Sequence, residues 1–456
     1  MLAANLGYMK FTATVLLALL LGFTACQTVN ENWEADSADP ERLHRSMRQL
    51  TDVIVHDIFS PPVASRIYAY SNLAAYEALR PGYPGYKTLE GQLNQLKDIP
   101  QPEANLEYCY PLASTVAFLK TGTHLIFSED KMDAFRNELL QEFREVNMPE
   151  AVFERSVAYG EAVAAHIIQY SDSDNYKQSR TFPKYSLTNN PAHWKPTPPD
   201  YMDGIEPHWM TIRTFVLDSA QQFKPKPPTP FNMEDKDGQF FKETMEVYTA
   251  LDEDREEKLA IAEFWDCNPY VTHHKGHVMF ATKKITPGGH WMNIADIAAH
   301  KTKADIMRSA DAYVWTALSL ADAFISCWDE KYRSVMVRPE TVINEFIDPE
   351  WLPALQTPPF PEYTSGHSVI SRAAAVALTH LYGDNFAFDD TSEEEYGLPV
   401  RSFQSFLEAS DEAALSRLYG GIHYMPACTE GVIQGEAVGD YITGKLVTRS
   451  DRISMK

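Results

Sequence analysis

Between Trp291 and Trp328 the apolar residues return every three or four positions. Ile306, Ala310, Tyr313, Ala317, Ala321 and Phe324 form one continuous apolar face if the segment is helical. A strand exposes alternate residues to opposite faces, so this period does not fit one. The run commits the middle of the chain to a long helix packed against others. The same spacing governs "PPVASRIYAYSNLAAYEALR", whose prolines suit a first turn. It recurs in "DAFRNELLQEFREV", "AVFERSVAYGEAVAAHIIQY" and "FFKETMEVYTALDEDREEKLAIAEFWD". Towards the C-terminus it continues in "SGHSVISRAAAVALTHLYG", "SFQSFLEASDEAALSRLYGG" and "GEAVGDYITGKLV". No stretch alternates over several strands, and no repeat of fixed period is present. The expected fold class is all-α, built as bundled helices in two halves with long irregular connections.

Residues 41–230 are expected to form the N-terminal helical half and 231–456 the C-terminal half. Positions 172–232 interrupt the helical pattern with "NNPAHWKPTPPDY" and "KPKPPTP", and a connection of that length usually wraps a surface or serves function. At 456 residues and 44% apolar content, the chain can build one large body from both halves. Its formal charge of −23 excludes nucleic acid as a partner, since phosphate binding needs a basic face.

The N-terminus reads "MKFTATVLLALLLGFTAC", with Lys10 as a positive start, Val15 to Leu21 as a short apolar run, and Cys26 after small residues. A membrane span needs about 20 apolar residues, so this is a secretory signal. Cys26 resembles the acylated cysteine of a bacterial lipobox, although Phe23 stands where leucine is commoner. The expectation is a signal peptide over 1–25, a lipid anchor at Cys26 and a polar tether over 26–40. The location is then the bacterial cell envelope, periplasmic or outer-membrane-anchored, with membrane contact through the lipid alone. Cys109, Cys267, Cys327 and Cys428 form no CxxC pair and are expected as buried free thiols.

Three motifs carry chemistry. In "KYRSVMVRP", Lys331 and Arg338 lie seven apart and Pro339 follows, so the chain is expected to leave a helix near Arg338. "YTSGH", Tyr363 to His367, stands directly before an apolar helix, and "SRLYGGIH" sets Arg417 six residues before His423. Together they suggest one oxyanion site. Lys331, Arg338 and Arg417 supply charge and forked donors. The backbone N–H groups of Ser365 and Gly366 would point at an anion from a helix start. His367 and His423 can exchange protons or bind an electrophile. The bland reading makes Ser365 a cap, the histidines structural and the cations solvated. The order and spacing together speak for a site.

This signature, Lys-x6-Arg-Pro, then Ser-Gly-His, then Ser-Arg-x5-His, resembles that of the type 2 phosphatidic acid phosphatase and vanadium-dependent haloperoxidase superfamily. Trp328, Asp329 and Lys331 in "WDEK", with "NPY" at Asn268 to Tyr270, are similar to the bacterial vanadium iodoperoxidase-like branch. The resemblance implies a fold of two packed four-helix-bundle halves, and vanadate as cofactor, with phosphate or sulfate able to take its place. It implies Lys331, Arg338, Ser365, Gly366 and Arg417 on the vanadate oxygens and His423 as the nitrogen ligand to the metal. It makes His367 the acid–base residue for the protons of peroxide. Hydrogen peroxide and halide are the implied substrates and hypohalous acid the product. Trp328, Tyr270 and Phe360 are expected to wall the halide pocket, with iodide favoured. The alternative is an exported acid phosphatase, in which His423 attacks phosphorus and His367 protonates the leaving alcohol. A non-catalytic helical lipoprotein is a third class. One departure stands out: Ala427 occupies the place of the usual acid four residues after the histidine. That leaves His423 without its expected carboxylate, a loss that should hurt a phosphatase more than a vanadate ligand, with Glu430 as a candidate substitute. "HHKGH" also sets His273 and His277 four apart, a metal-binding spacing if helical.

Overall fold

In the computed structural model, which describes residues 29–269, 271–275, 278–281 and 283–449, the helical periods become helices. Cys26 with the segment before it, Tyr270 and His277 lie outside these residues. The first half holds α1 (Trp33–Ser37), α2 (Glu41–His56), α3 (Pro61–Leu79), α4 (Tyr110–Leu125), α5 (Glu129–Glu145), α6 (Glu150–Asp172) and the short α7 (Tyr176–Ser179). The second holds α8 (Gln239–Tyr248), α9 (Arg255–Phe264), α10 (Pro287–Lys301), α11 (Ile306–Ser334), α12 (Pro339–Phe346), α13 (Gly366–Tyr382), α14 (Phe406–Tyr419) and α15 (Met425–Lys445). Two antiparallel hairpins complete the described residues, β1 (Thr272–Lys275) with β2 (Val278–Ala281) and β3 (Phe388–Asp390) with β4 (Arg401–Phe403).

Helices α3, α4 and α6 pack together with α2 and α5 alongside, while α11, α13, α14 and α15 pack together with α10 alongside. The two bundles meet where α3 lies on α11. All nineteen residues of α3 are buried, which fits a helix enclosed on every side. Pro61 and Pro62 occupy its first positions, where a missing N–H costs nothing. One polar cluster inside is closed: Arg66 Nε donates to Asp174 Oδ2 at 2.6 Å, and Tyr70 donates to the same oxygen at 3.0 Å.

The long helix expected from Trp291 to Trp328 is two helices. Lys303 adopts a left-handed φ of 50°, and Asp305 then caps α11 by accepting from the Arg308 N–H at 2.8 Å. The expected apolar face is buried throughout, and so is nearly every other residue of α11 as far as Lys331. The stretch containing His273 is a strand and not the helix that the metal-binding spacing calls for, and His277 lies outside the described residues.

The irregular segment between α7 and α8 lies against α11. Trp194 N–H donates to the Val335 carbonyl, and the Tyr332 hydroxyl to the Ile205 carbonyl at 2.6 Å. The buried Asp322 carboxylate of α11 accepts the N–H groups of Phe215, Val216 and Leu217 at 2.7–3.0 Å. The four described cysteines are buried and free, as expected.

Candidate active site

Lys331 lies in the last turn of α11, which stops at Ser334, where Val335 turns left-handed. Arg338 is extended (φ −76°, ψ 150°), and Pro339 opens α12. The two cations therefore do not share a helix face. They meet because one ends a helix and the other precedes the next. The Lys331 ammonium donates to the carbonyls of Pro361 (2.9 Å), Glu362 (3.0 Å) and Thr364 (2.6 Å). Each of its three hydrogens thus has an acceptor. Burial nevertheless lowers its pKa to about 7.

Arg338 donates through Nε to the Phe360 carbonyl (2.9 Å) and through Nη1 to the Ile422 carbonyl (2.8 Å). Nη1 also lies 3.0 Å from His423 Nε2. Its Nη2 is buried and has no partner among the described residues. Arg417, in the last turn of α14, donates through Nη2 to the Trp265 carbonyl at 2.7 Å. The Phe360 ring lies 5.1 Å from Lys331 Nζ and 5.1 Å from the Arg338 guanidinium carbon, a cation–π position for both. Trp328 packs beside Phe360 with ring centroids 5.0 Å apart.

The carboxylate missing at Ala427 comes from elsewhere. Glu362 Oε1 accepts from His423 Nδ1 at 2.8 Å and from the Tyr424 N–H at 3.0 Å. Glu430 instead pairs with Lys226 at 3.3 Å, so it is not the substitute. With its proton held on Nδ1, His423 turns the Nε2 lone pair to Arg338 Nη1, which donates to it at 3.0 Å and would have to yield it to a metal. Burial, then Arg338 and Lys331, hold its pKa well below the ordinary range, so the ring is neutral. Burial raises Glu362 to about 7, although Arg338 and Lys331 pull the other way. Nothing in the local sequence pairs residues 61 positions apart, which is why Glu362 escapes a motif reading.

Ser365 caps α13 by accepting from the Ser368 N–H at 3.3 Å, and its own N–H donates to the Ala427 carbonyl at 3.0 Å. Its N–H is therefore not the free donor that its place before the helix suggests. The first-turn N–H groups of Gly366 and His367 have no intrahelical acceptor. A Cβ on Gly366 would meet only Trp328 and Lys331, at 3.7 and 3.9 Å, so packing there leaves room for a side chain. The His367 ring hydrogen-bonds the Trp265 backbone, and its buried Nε2 has no partner among the described residues. Burial, then Arg417, hold it neutral.

Gly366, His367, Arg417 and His423, with Trp328 and Phe360 among others, line a pocket of about 510 Å³ of empty space, mouth included; the fully buried Lys331 and Arg338 are not among its lining residues. Of the expected halide wall, Trp328 and Phe360 line it; Tyr270 lies outside the described residues, next to Pro269, which does line it. The unpartnered Arg338 Nη2 and His367 Nε2, the open side of Gly366 and the lone pair of His423 fit a tetrahedral oxyanion with a central atom that takes a nitrogen ligand.

The family model described as the VCPO second helical-bundle domain matches residues 311–450. No curated protein matches. Among solved structures, the first bacterial vanadium-dependent iodoperoxidase is 52% identical, with a TM-score of 0.86 over 91% of this chain and 98% of that one. A holo-type bacterial vanadium-dependent chloroperoxidase shares the fold at 16% identity, with a TM-score of 0.65 over 85% of this chain and 93% of that one. An apo-type one does so at 17% identity and TM-score 0.63, over 84% and 94%. At 52% identity over nearly its whole length to one of these structures, the chain belongs to the vanadium-dependent haloperoxidase family.

Proposed function

We propose that the protein is a vanadate-dependent haloperoxidase that uses hydrogen peroxide to oxidise halide, iodide more readily than bromide. The observation that carries this reading is the polarity of His423. Glu362 holds its Nδ1 proton, so Nε2 offers a lone pair within a cluster of buried cations. Arg338, Arg417, Lys331 and the start of α13 would hold the anion's oxygens, and His423 Nε2 the metal. Lys331 has to release a carbonyl to do so, since all three of its hydrogens are engaged. Bound vanadate would supply a Lewis-acid centre that polarises peroxide. Halide oxidation by peroxide consumes a proton, and the neutral His367, with Nε2 free, is placed to hold and deliver it. The relative with 52% identity is an iodoperoxidase, and the aromatic wall of Trp328 and Phe360 suits a large polarisable anion.

Glu362 also supports the second reading. A carboxylate on Nδ1 serves a nucleophilic histidine as well as a metal ligand, so the absent acid at Ala427 no longer argues against a phosphatase. Peroxidase assays with iodide, bromide and chloride, with and without vanadate, beside a phosphomonoester assay, decide between them. Vanadate-dependent iodide oxidation is expected; phosphomonoester turnover that vanadate only inhibits would replace the reading. The export reading extends it: Cys26 would carry lipid as the mature N-terminal residue, and no helix among the described residues is long and apolar enough to cross a membrane. Cys26→Ser should then move the protein from the membrane to the soluble fraction, and full membrane retention would refute the anchor.

A further inference from the structure

A second buried cluster stands beside the pocket. His290, in the first turn of α10, is fully buried and stacked on Trp265 with centroids 4.5 Å apart. Its Nε2 faces Asp390 Oδ2 at 2.8 Å. Its Nδ1 faces Glu393 Oε1 at 3.1 Å and Cys267 Sγ at 3.5 Å, and Cys267 Sγ lies 3.9 Å from the same Glu393 oxygen. Cys267, His290 and Glu393 each expose no more than 3% of their surface.

We propose that Cys267 Sγ, His290 Nδ1 and Glu393 Oε1 bind a zinc ion. Thiolate, imidazole and carboxylate are the donors zinc takes, at about 2.0–2.3 Å, which in a tetrahedron sets them roughly 3.3–3.6 Å apart. The observed separations of 3.1, 3.5 and 3.9 Å lie around that span. Asp390 supplies the outer carboxylate typical of metal-bound histidine, fixing the proton on Nε2 and leaving Nδ1 for the metal. Three protein ligands leave the fourth position to water.

Protons alone could fill the same cluster. A doubly protonated His290 would bridge Asp390 and Glu393 beside a neutral thiol. Zinc replaces two protons, from the thiol and the imidazolium, so net charge does not separate these arrangements. The position of the thiol favours the ion: at 3.5 Å from His290 Nδ1 and 3.9 Å from Glu393 Oε1 it makes only long hydrogen bonds, yet it completes the triangle of metal donors.

The ion would tie three segments together: the end of α9, the start of α10 and the β3 hairpin. Cys267 follows two residues after Trp265, whose carbonyl accepts from Arg417 and whose backbone holds the His367 ring. The clip would thus position the pocket wall that carries both.

Elemental analysis of the full-length protein, purified without chelator and dialysed against zinc, should find about one zinc per chain. A strong chelator should remove it and lower the melting temperature, and zinc should restore both. Cobalt in its place should give thiolate-to-metal absorption. Cys267→Ser should abolish that band, and Glu393→Gln should lose the zinc. Should Cys267→Ser fail to fold, the cobalt spectrum of the parent decides. Absence of the thiolate band there, zinc at background, or undiminished zinc in folded Cys267→Ser would each overturn the site.

Discussion

Glu362 is the residue on which the character of His423 turns. Glu362→Gln keeps an acceptor for His423 Nδ1 and Tyr424 N but removes the charge. Vanadate, which relies on the His423 lone pair, should bind about 10- to 100-fold more weakly. Sulfate takes no bond from that nitrogen and should bind as well as before or better, because a negative charge has gone. Calorimetric titration with both anions checks this, and an equal loss for both would mean that Glu362 only holds the fold. Lys331 sets a pH dependence. Its pKa is lowered to about 7, so its charge is present below pH 7 and lost above. Glu362 becomes negative over the same range, which pushes the same way. Sulfate keeps its charge there, so its affinity should fall as pH rises from 6 to 8.5. The Lys331 part is one charged hydrogen bond, roughly 1.5–3 kcal/mol or about 10- to 150-fold. Lys331→Met should flatten most of the slope; a flat profile in the parent would contradict the shift.

At the scale of elements, α15 is fitted to α13 by glycine. Gly431, Gly435 and Gly439 recur every four residues, and the Cβ atoms they lack would press on Ser368, on the Val369 carbonyl and on Val376. The helix bearing the Ser-Gly-His motif can therefore sit close against its neighbour. Gly435→Ala would drive a methyl into the backbone of α13, which cannot yield as a side-chain tip can. The expected cost is about 1–3 kcal/mol, less whatever alanine's helix propensity returns. Thermal melts of Gly435→Ala against the exposed Gly444→Ala test this, since a Cβ at Gly444 meets nothing within 4 Å. Equal melting points would show that the helices can move apart freely. Such contacts mark what the sequence leaves open. The helices were legible because their apolar spacing repeats, and Lys331, Arg338, Arg417 and the two histidines because each motif is local. The break at Lys303 was not, because a left-handed lysine carries no composition signal, although Asp305 is a readable cap. The pairing of Glu362 with His423 depends on a contact that no short window of sequence contains.

Across the whole molecule, a cut at residue 230 would part elements that share one core. The largest apolar cluster runs from Leu43 to Leu446 and draws on both bundles. Helix α3 has no solvent face, and much of its covering is α11. Other ties cross the cut as well. Tyr76 donates to the Thr448 carbonyl, His44 Nδ1 lies 2.5 Å from the Tyr313 hydroxyl, and Asp322 holds the N–H groups of Phe215 to Leu217. Removing residues 29–230 would expose the α3-facing side of α11. It would also leave Asp322, whose pKa burial raises to about 6, without its three donors. Each large apolar side chain returned to water forfeits about 1.5–3 kcal/mol. A domain holds only about 5–15 kcal/mol in reserve, so half a dozen such losses exhaust it. Although residues 231–449 contain every described residue assigned to the oxyanion site, they should not fold alone. Expressed by themselves, they should give no cooperative thermal transition by circular dichroism and no sulfate binding. Supplied together with a 29–230 chain, they should recover both. A cooperative melt with native helix content from 231–449 alone would show that the second bundle is self-sufficient and that α3 is a cover and not a shared core.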